Sequence, residues 1–89
     1  MLHVSNHEYY YVDYVKMGAY LKQLRVEQYG SNRSEFVRKL NQFGKYRWDQ
    51  SAYRKVELGQ IELSLDRLCE VVMMFGISPT DVLVHCTYC

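Results

Sequence analysis

Residues 32–59 decide the fold, and they read NRSEFVRKLNQFGKYRWDQSAYRKVELG. Asn32 is a preferred N-cap residue, and Glu35 follows it at the spacing of a capping box. The apolar residues behind this cap recur at helical intervals: Phe36, Val37, Leu40 and Phe43. This part of the segment therefore predicts a helix that begins after Asn32 and stops at Gly44.

A second helix is predicted after a short connector, residues 45–48. Asp49 is its N-cap and Gly59 marks its end. The residues expected to face inward are Ala52, Tyr53 and Val56. The residues on the opposite face are polar or basic: Gln50, Ser51, Arg54 and Lys55. The segment thus predicts two joined helices, of which the second exposes side chains able to form hydrogen bonds.

One helix is predicted before this segment. It runs from about residue 14 to 28, with Asp13 as its N-cap and Gly30 behind its end. Its inward stripe is predicted to comprise Val15, Leu21, Leu24 and Gln28. Gly18 inside the helix costs about 1 kcal/mol relative to alanine, so it indicates close packing against a neighbouring element.

Two further helices are predicted after the segment. The fourth helix begins after Ser64 and stops at Gly76, and its predicted apolar stripe comprises Leu65, Leu68, Cys69, Val72 and Phe75. Ser78 and Pro79 supply the cap and the first turn of a short fifth helix, which carries Val82 and Leu83. The predicted fold class is all-α: a compact five-helix domain of the helix-turn-helix kind with an N-terminal extension.

The length of 89 residues fits one domain, because such a chain buries only a little over ~60% of the surface of its unfolded form. The predicted organisation is an N-terminal extension (1–12), the helical domain (13–84) and a C-terminal tail (85–89). The extension contains a tyrosine cluster, Tyr9, Tyr10 and Tyr11 with Tyr14 beyond it. We expect this cluster to be buried against the domain or against a second subunit.

The net charge of +1 conceals a segregation of charge along the chain. Seven basic residues and two acidic ones lie between residues 33 and 55, so this segment carries +5 and the remainder −4. Such segregation is typical of a protein that presents one face to a polyanion. The polar face at residues 50–55 suits reading of the DNA major groove, but periodicity alone is equally consistent with an ordinary solvated helix face.

Residues 17–83, about three quarters of the chain, resemble the five-helix DNA-binding domain of the Cro and lambda-repressor type, often called the xenobiotic-response-element family. The matching pieces are residues 17–25 (MGAYLKQLR), 33–37 (RSEFV), 53–59 (YRKVELG) and 75–79 (FGISP). Each piece is unspecific by itself. Their order and spacing together carry the resemblance.

The resemblance also implies roles for individual residues. In that family an arginine of the first helix pairs with the glutamate that ends the recognition helix, which implies a structural ion pair between Arg25 and Glu57. The family's DNA contacts correspond here to Gln50, Ser51, Arg54 and Lys55 as base readers. Arg33 stands where the family usually has a glutamine, and it is expected to contact phosphate.

Two features depart from the family pattern. Val37 replaces the small residue that lets the two motif helices approach closely. The link between those helices is also longer, by about six residues over 41–48, and this length either extends the second helix or widens the turn. Within the insert, Trp48 is expected to fill the core, and the alternative is that the insert follows the DNA backbone.

The sequence therefore predicts a sequence-specific DNA-binding transcriptional regulator, a repressor that binds a near-palindromic operator of double-stranded DNA as a homodimer. The candidate dimer surfaces are the tyrosine cluster and the apolar end of the chain, Val82, Leu83 and Val84. Two alternatives are an antitoxin that binds a partner toxin and represses its own operon, and a domain of the same fold that has lost DNA binding.

Other chemistry finds little support in the sequence. Cys86 and Cys89 form a C-x-x-C beside His85, but there is no second pair at the spacing of a zinc finger. Catalytic sets, metal ligands and cofactor motifs are not evident, so we expect no enzyme and no cofactor. The longest apolar run, residues 71–75, is far below the ~20 residues of a membrane span, and no signal peptide is evident, so a cytoplasmic protein without membrane contact is expected.

Overall fold

The structure, a computed structural model, describes residues 11–88 and the side chains of residues 12–86. Within this range five helices follow one another: α1 (Tyr14–Tyr29), α2 (Arg33–Phe43), α3 (Gln50–Glu57), α4 (Leu65–Met73) and α5 (Pro79–Cys86). The predicted all-α class is confirmed, and α1 ends one residue beyond its predicted limit. No helix in the described range has the length and apolar character needed to cross a bilayer.

The ends of the described chain meet in a small antiparallel ribbon. Strand β1 (Tyr11–Val12) pairs with strand β2 (Thr87–Tyr88), with Tyr11 opposite Tyr88. The amide of Asp13 continues this contact by donating to the carbonyl of Cys86 at 2.7 Å. Residues 85 and 86, placed in a tail by the sequence, belong to α5 instead, since this ribbon and the burial of Cys86 hold the last turn in place.

The helix starts follow from short polar side chains that accept a backbone N–H in the first turn. Asn32 accepts from the amide of Glu35 at 3.0 Å, and the predicted caps of α1, α3 and α4, which are Asp13, Asp49 and Ser64, do the same. The reciprocal half of the predicted capping box does not form, because the Glu35 carboxylate binds the Arg38 guanidinium instead. The caps thus fix where each of these helices begins.

A single core lies between the helices. Phe36 of α2 lies near its centre, parallel to the ring of Phe75 at a centroid distance of 5.4 Å and tilted against Tyr53 at the same distance. The fifteen buried apolar side chains within the described range are Met17, Leu21, Phe36, Val37, Leu40, Trp48, Tyr53, Val56, Leu63, Leu68, Val71, Val72, Phe75, Val82 and Cys86. Val37 is therefore accommodated at the α2 position where the resemblance expects a small residue.

The predicted inward stripe of α1 is wrong at its two ends. Val15 is 65% exposed and Gln28 is exposed, whereas the buried residues are Met17, Gly18, Leu21 and Arg25. The reason is the close approach that Gly18 permits: a Cβ atom there would lie only 2.5 Å from the carbonyl oxygen of Glu57. This face of α1 therefore lies against the end of α3. The spacing of apolar residues does not predict it, because two of its buried residues are a glycine and an arginine.

The predicted stripe of α4 also needs correction. Leu65 is 60% exposed and Cys69 is half-buried, while Val71, which the predicted stripe does not contain, is fully buried together with Leu68 and Val72. The buried face is therefore rotated away from Leu65. Phe43, assigned to the inward face of α2, is likewise 49% exposed at the end of that helix.

Gly59 ends the segment after α3 for a conformational reason. Its φ of +73° lies in the left-handed region, where side chains are disfavoured. A Cβ atom at Gly59 would also lie 2.5 Å from the Cα atom of Val15. Two glycines, Gly18 and Gly59, therefore allow the first half of α1 to lie directly on the end of α3.

Candidate nucleic-acid interface

Helix α3 presents the polar face that the sequence predicts. Tyr53 and Val56 are buried and Ala52 is half-buried, which fixes the rotation of the helix about its axis. The four candidate base readers, Gln50, Ser51, Arg54 and Lys55, are all exposed. The structure thus leaves these side chains accessible to a partner.

A cleft of about 550 Å³ opens between this face and the start of α2. Its lining comprises Ser31, Asn32, Arg33, Ser34, Gln50, Ser51 and Arg54. The Gln50 side chain bridges the two walls, because its Nε2 donates to the carbonyl of Ser34 at 3.3 Å. Four of the five predicted DNA contacts therefore meet in one cleft, and Lys55 lies outside its lining on the same helix.

The electrostatics of the cleft favour an anion. Its lining includes two guanidinium groups, those of Arg33 and Arg54, and no carboxylate. The first turn of α2 also directs the positive end of a helix dipole towards this region, and the first backbone amides of a helix have no partner inside the helix. Phosphate oxygens are the acceptors that such a combination typically binds.

Arg33 has a second contact that the resemblance does not imply. Its Nε donates to Glu57 Oε1 at 3.1 Å, and its side chain remains 30% exposed. A guanidinium carries five N–H donors in a planar fork, so this contact leaves donors for the cleft. Arg33 therefore joins the base of α3 to the wall of the cleft.

The ion pair between Arg25 and Glu57 is present and lies in the interior. Arg25 Nε donates to Glu57 Oε2 at 2.6 Å and Nη2 donates to Oε1 at 3.0 Å, while the two side chains are only 2% and 1% exposed. Arg25 Nη1 also donates to the carbonyl of Gly30 at 3.1 Å. The hydrogen bond to Glu57 raises the pKa of Arg25 above its ordinary value. This bidentate pair fixes the end of α3 against α1.

The Tyr53 hydroxyl lies beside this charged cluster. It is fully buried and makes no hydrogen bond of normal geometry within the described residues, although the Glu57 carboxylate is close by. Burial, with the nearby negative charge, raises the pKa of the Tyr53 phenol strongly, so the group stays neutral at physiological pH. Helix α3 is thus anchored by one tyrosine and one glutamate, a turn apart on its inner face.

The connector between α2 and α3 is the region where sequence reasoning missed residues. Helix α2 ends at Phe43, so most of the extra length widens the turn, which spans residues 44–49. Trp48 fills the core, as expected: it is 5% exposed and packs edge-on against Tyr53 at 5.6 Å. The cations of the connector, Lys45 and Arg47, are exposed.

Asn41 and Glu70 hold this connector. Asn41 Oδ1 accepts from the backbone N–H of Trp48 at 2.7 Å, and Asn41 Nδ2 donates to the carbonyl of the same residue at 2.9 Å. Glu70 of α4 accepts from the amides of Lys45 and Tyr46 at 2.9 and 3.3 Å. The sequence offers one signal for the role of Asn41, which is an amide side chain close to a long loop. No local sequence pattern predicts that Glu70 contacts the connector.

Arg67 completes the contact between the connector and α4. Its guanidinium lies over the ring of Trp48 at 4.8 Å and over the ring of Tyr46 at 5.1 Å. The Tyr46 hydroxyl donates to Asp66 Oδ2 at 3.0 Å, and this hydrogen bond raises the pKa of the Tyr46 phenol. Part of the insert is therefore folded onto the protein itself.

The structure offers no metal centre in its described part: no group of three or more His, Cys, Asp or Glu side chains within residues 11–88 is placed to hold an ion. Cys86 is buried in α5, and burial raises the pKa of its thiol. Cys89, the other half of the C-x-x-C, lies outside the described residues, as do Tyr9 and Tyr10 of the tyrosine cluster.

No family model, curated protein or solved structure matches this chain. The likeness to the Cro and lambda-repressor type therefore stays a resemblance of sequence motifs.

Proposed function

We propose that this protein is a sequence-specific DNA-binding transcriptional regulator that reads the major groove with α3. The observation that carries the proposal is the cleft, in which the exposed side chains of α3 meet Arg33 and the first turn of α2. The major groove is about 12 Å wide and admits one helix, whose exposed side chains reach base edges. A neighbouring helix start then faces the phosphates.

The side chains divide into two roles. Arg54 has the planar fork that forms paired hydrogen bonds with guanine, and Gln50 has the amide that pairs with adenine. Ser51 and Lys55 flank them on the exposed face of α3. Arg33 and the first amides of α2 bind phosphate and orient the protein without selecting sequence.

The proposed regulator acts as a homodimeric repressor in the cytoplasm and needs no cofactor. One reading helix covers too few base pairs for selectivity, so two copies bind half-sites about one helical turn apart on a near-palindromic operator. Of the apolar residues at the end of α5, Val82 is buried, Leu83 is half-buried and Val84 is 72% exposed. Val84 is therefore the residue of that set available to a second subunit.

The test begins with selection of bound sequences from a random library of double-stranded DNA. Arg54→Ala is expected to weaken binding to the selected sequence by roughly 1–3 kcal/mol and to relax the preference at one base pair. Arg38→Ala is the matched control, because it removes the same charge from an exposed position that does not line the cleft. Affinities are measured over a range of salt concentrations, since phosphate contacts set the salt dependence.

Two results contradict the proposal. The first is a library selection that enriches no sequence. The second is an Arg54→Ala variant with the affinity and selectivity of the Arg38→Ala control. A stoichiometry of one protein molecule per operator would contradict the proposed dimer but not the proposal that α3 reads the DNA.

A further inference from the structure

We propose that Asn41 and Glu70 are positioning residues that set where α3 lies in the groove, by fixing the connector that delivers its first turn. This inference rests on the proposed function. It concerns two residues that contact neither the cleft nor the polar face of α3. Their shared feature is that each binds backbone atoms of the connector.

The Asn41 side chain forms hydrogen bonds with both backbone polar groups of one connector residue. It accepts the N–H of Trp48 and donates to the carbonyl of Trp48, so both polar atoms of its amide are used on one residue. Such a two-point contact fixes the position and the orientation of the Trp48 backbone together. Asp49, the N-cap of α3, is the next residue, so the start of the recognition helix is fixed with it.

Glu70 fixes the other end of the connector from a different element. Its Oε2 accepts from two consecutive amides, those of Lys45 and Tyr46, and its carboxylate lies against Gly44 where a Cβ atom would otherwise stand. The connector is thereby held between α2 and α4. Arg67 of α4 adds a further contact to the connector, because its guanidinium lies over the rings of Tyr46 and Trp48.

The position of these anchors relative to the reading residues gives them their effect. Arg25 of α1 holds Glu57, the last residue of α3, while Asn41 of α2 holds the residue just before the N-cap of α3. Gln50 and Ser51 belong to the first turn, next to the Asn41 anchor. Paired hydrogen bonds to bases tolerate displacements of only about 0.5 Å, so loosening this end costs selectivity before it costs attraction to phosphate.

The experiment compares Asn41→Asp with Gln42→Glu in the full chain. Both variants add one negative charge to adjacent residues of α2, but only the first replaces the donor to the Trp48 carbonyl by an acceptor. We expect Asn41→Asp to lower the ratio of affinities for the selected DNA and for random DNA by about tenfold, the value of one lost base contact. Gln42→Glu, at an exposed position, is expected to weaken both affinities alike and to leave the ratio unchanged.

A second pair of variants separates positioning from loss of folded protein. Glu70→Ala removes the acceptor for two amides and is expected to lower the same ratio, whereas Glu70→Gln retains an acceptor oxygen and is expected to restore most of it. A loss of folded protein lowers both affinities by the same factor and leaves their ratio intact. Trp48 is the only tryptophan of the chain, so its fluorescence reports directly on the connector in each folded variant.

The outcomes distinguish this inference from the proposed function. If the wild-type protein selects a sequence and Asn41→Asp keeps the wild-type ratio, the positioning role is refuted and DNA reading stands. If Glu70→Gln fails to restore the ratio lost in Glu70→Ala, the backbone contact of Glu70 is not the cause and its positioning role is refuted. If the wild-type protein selects no sequence, the proposed function and this inference both fall.

Discussion

The two ends of α3 are anchored by different physical means. At its C-terminal end, Glu57 forms a buried ion pair with Arg25, and the backbone of Glu57 lies against Gly18 of α1. At its N-terminal end, two half-buried side chains hold the connector: Glu70 accepts from backbone amides, and Asn41 both accepts from and donates to the backbone of Trp48. The C-terminal anchor depends on one desolvated ion pair, whereas the N-terminal anchor consists of several weaker hydrogen bonds. A substitution at the C-terminal anchor should therefore cause a large loss of stability, and a substitution at the N-terminal anchor a smaller one.

The largest expected effect is at the buried pair. Glu57→Ala leaves Arg25 buried without its carboxylate and removes the partner of Arg33, so we expect a loss of about 3–5 kcal/mol in the free energy of unfolding. Denaturant titration followed by circular dichroism measures this loss. A double-mutant cycle with Arg25→Ala isolates the coupling, and single losses that simply add in the double variant would show that the pair is not the anchor.

The next effect tests the backbone contact at the same anchor. Gly18→Ala places a Cβ atom against the carbonyl oxygens of Val56 and Glu57, which are backbone atoms and yield only if the helices move apart. We expect a loss of about 1–3 kcal/mol, although the same substitution in an exposed helix gains about 1 kcal/mol. A melting temperature at or above the wild-type value would mean that α1 and α3 separate without cost.

A smaller effect is expected from the corresponding substitution at the other anchor. Gly44→Ala also meets a neighbour, but that neighbour is the end of the flexible Glu70 side chain, and the φ of −99° at Gly44 suits any residue. We expect the Glu70 carboxylate to move aside, with a loss of about 1 kcal/mol for its hydrogen bonds to the connector. A loss as large as that of Gly18→Ala would remove the distinction between the two anchors.

The same comparison shows which features a sequence can predict. The starts of α2 and α3 and the end of α1 were predictable from Asn32, Asp49 and Gly30, because caps act within a few residues of the chain. The exposed face of α3 followed from the spacing of Tyr53 and Val56. Capping residues and helical periodicity, which act over a few residues, therefore predict most of the element order and the exposed side of α3.

The residues that sequence reasoning missed act across the fold. Glu70 is 25 positions away from the Lys45 amide that it binds, and the contact exists only because α4 packs beside the end of α2. The exposure of Val15 has the same origin, since Gly18 and Gly59 decide how α1 lies on α3. The Arg25–Glu57 pair, 32 positions apart in sequence, is predictable only through the family resemblance.

The smallest expected effect concerns an ion pair of the same chemistry as the buried anchor but in water. Glu35 and Arg38 of α2 form a bidentate pair with side chains 44% and 55% exposed. The hydrogen bonds from Arg38 lower the pKa of the Glu35 carboxyl below its ordinary value. A carboxyl whose pKa is lower in the folded state stabilises the fold above its unfolded-state pKa and loses this contribution as the pH falls through the folded-state value.

Glu35→Gln should therefore cause a slight loss of stability at neutral pH. We expect no difference from the wild type once the pH is below the pKa of Glu35 in the folded protein. At high salt we also expect no loss of stability, because salt screens exposed charges. Parallel melts of Glu35→Gln and Glu57→Ala at low and high ionic strength measure the contrast. The loss in Glu57→Ala should persist at every salt concentration, because the Arg25 side chain is only 2% exposed in the folded state and buried charges are screened much less than surface charges. Equal salt sensitivity of the two variants would show that the Arg25–Glu57 pair is as accessible to solvent as a surface pair, and the contrast between the two ends of α3 would then be lost.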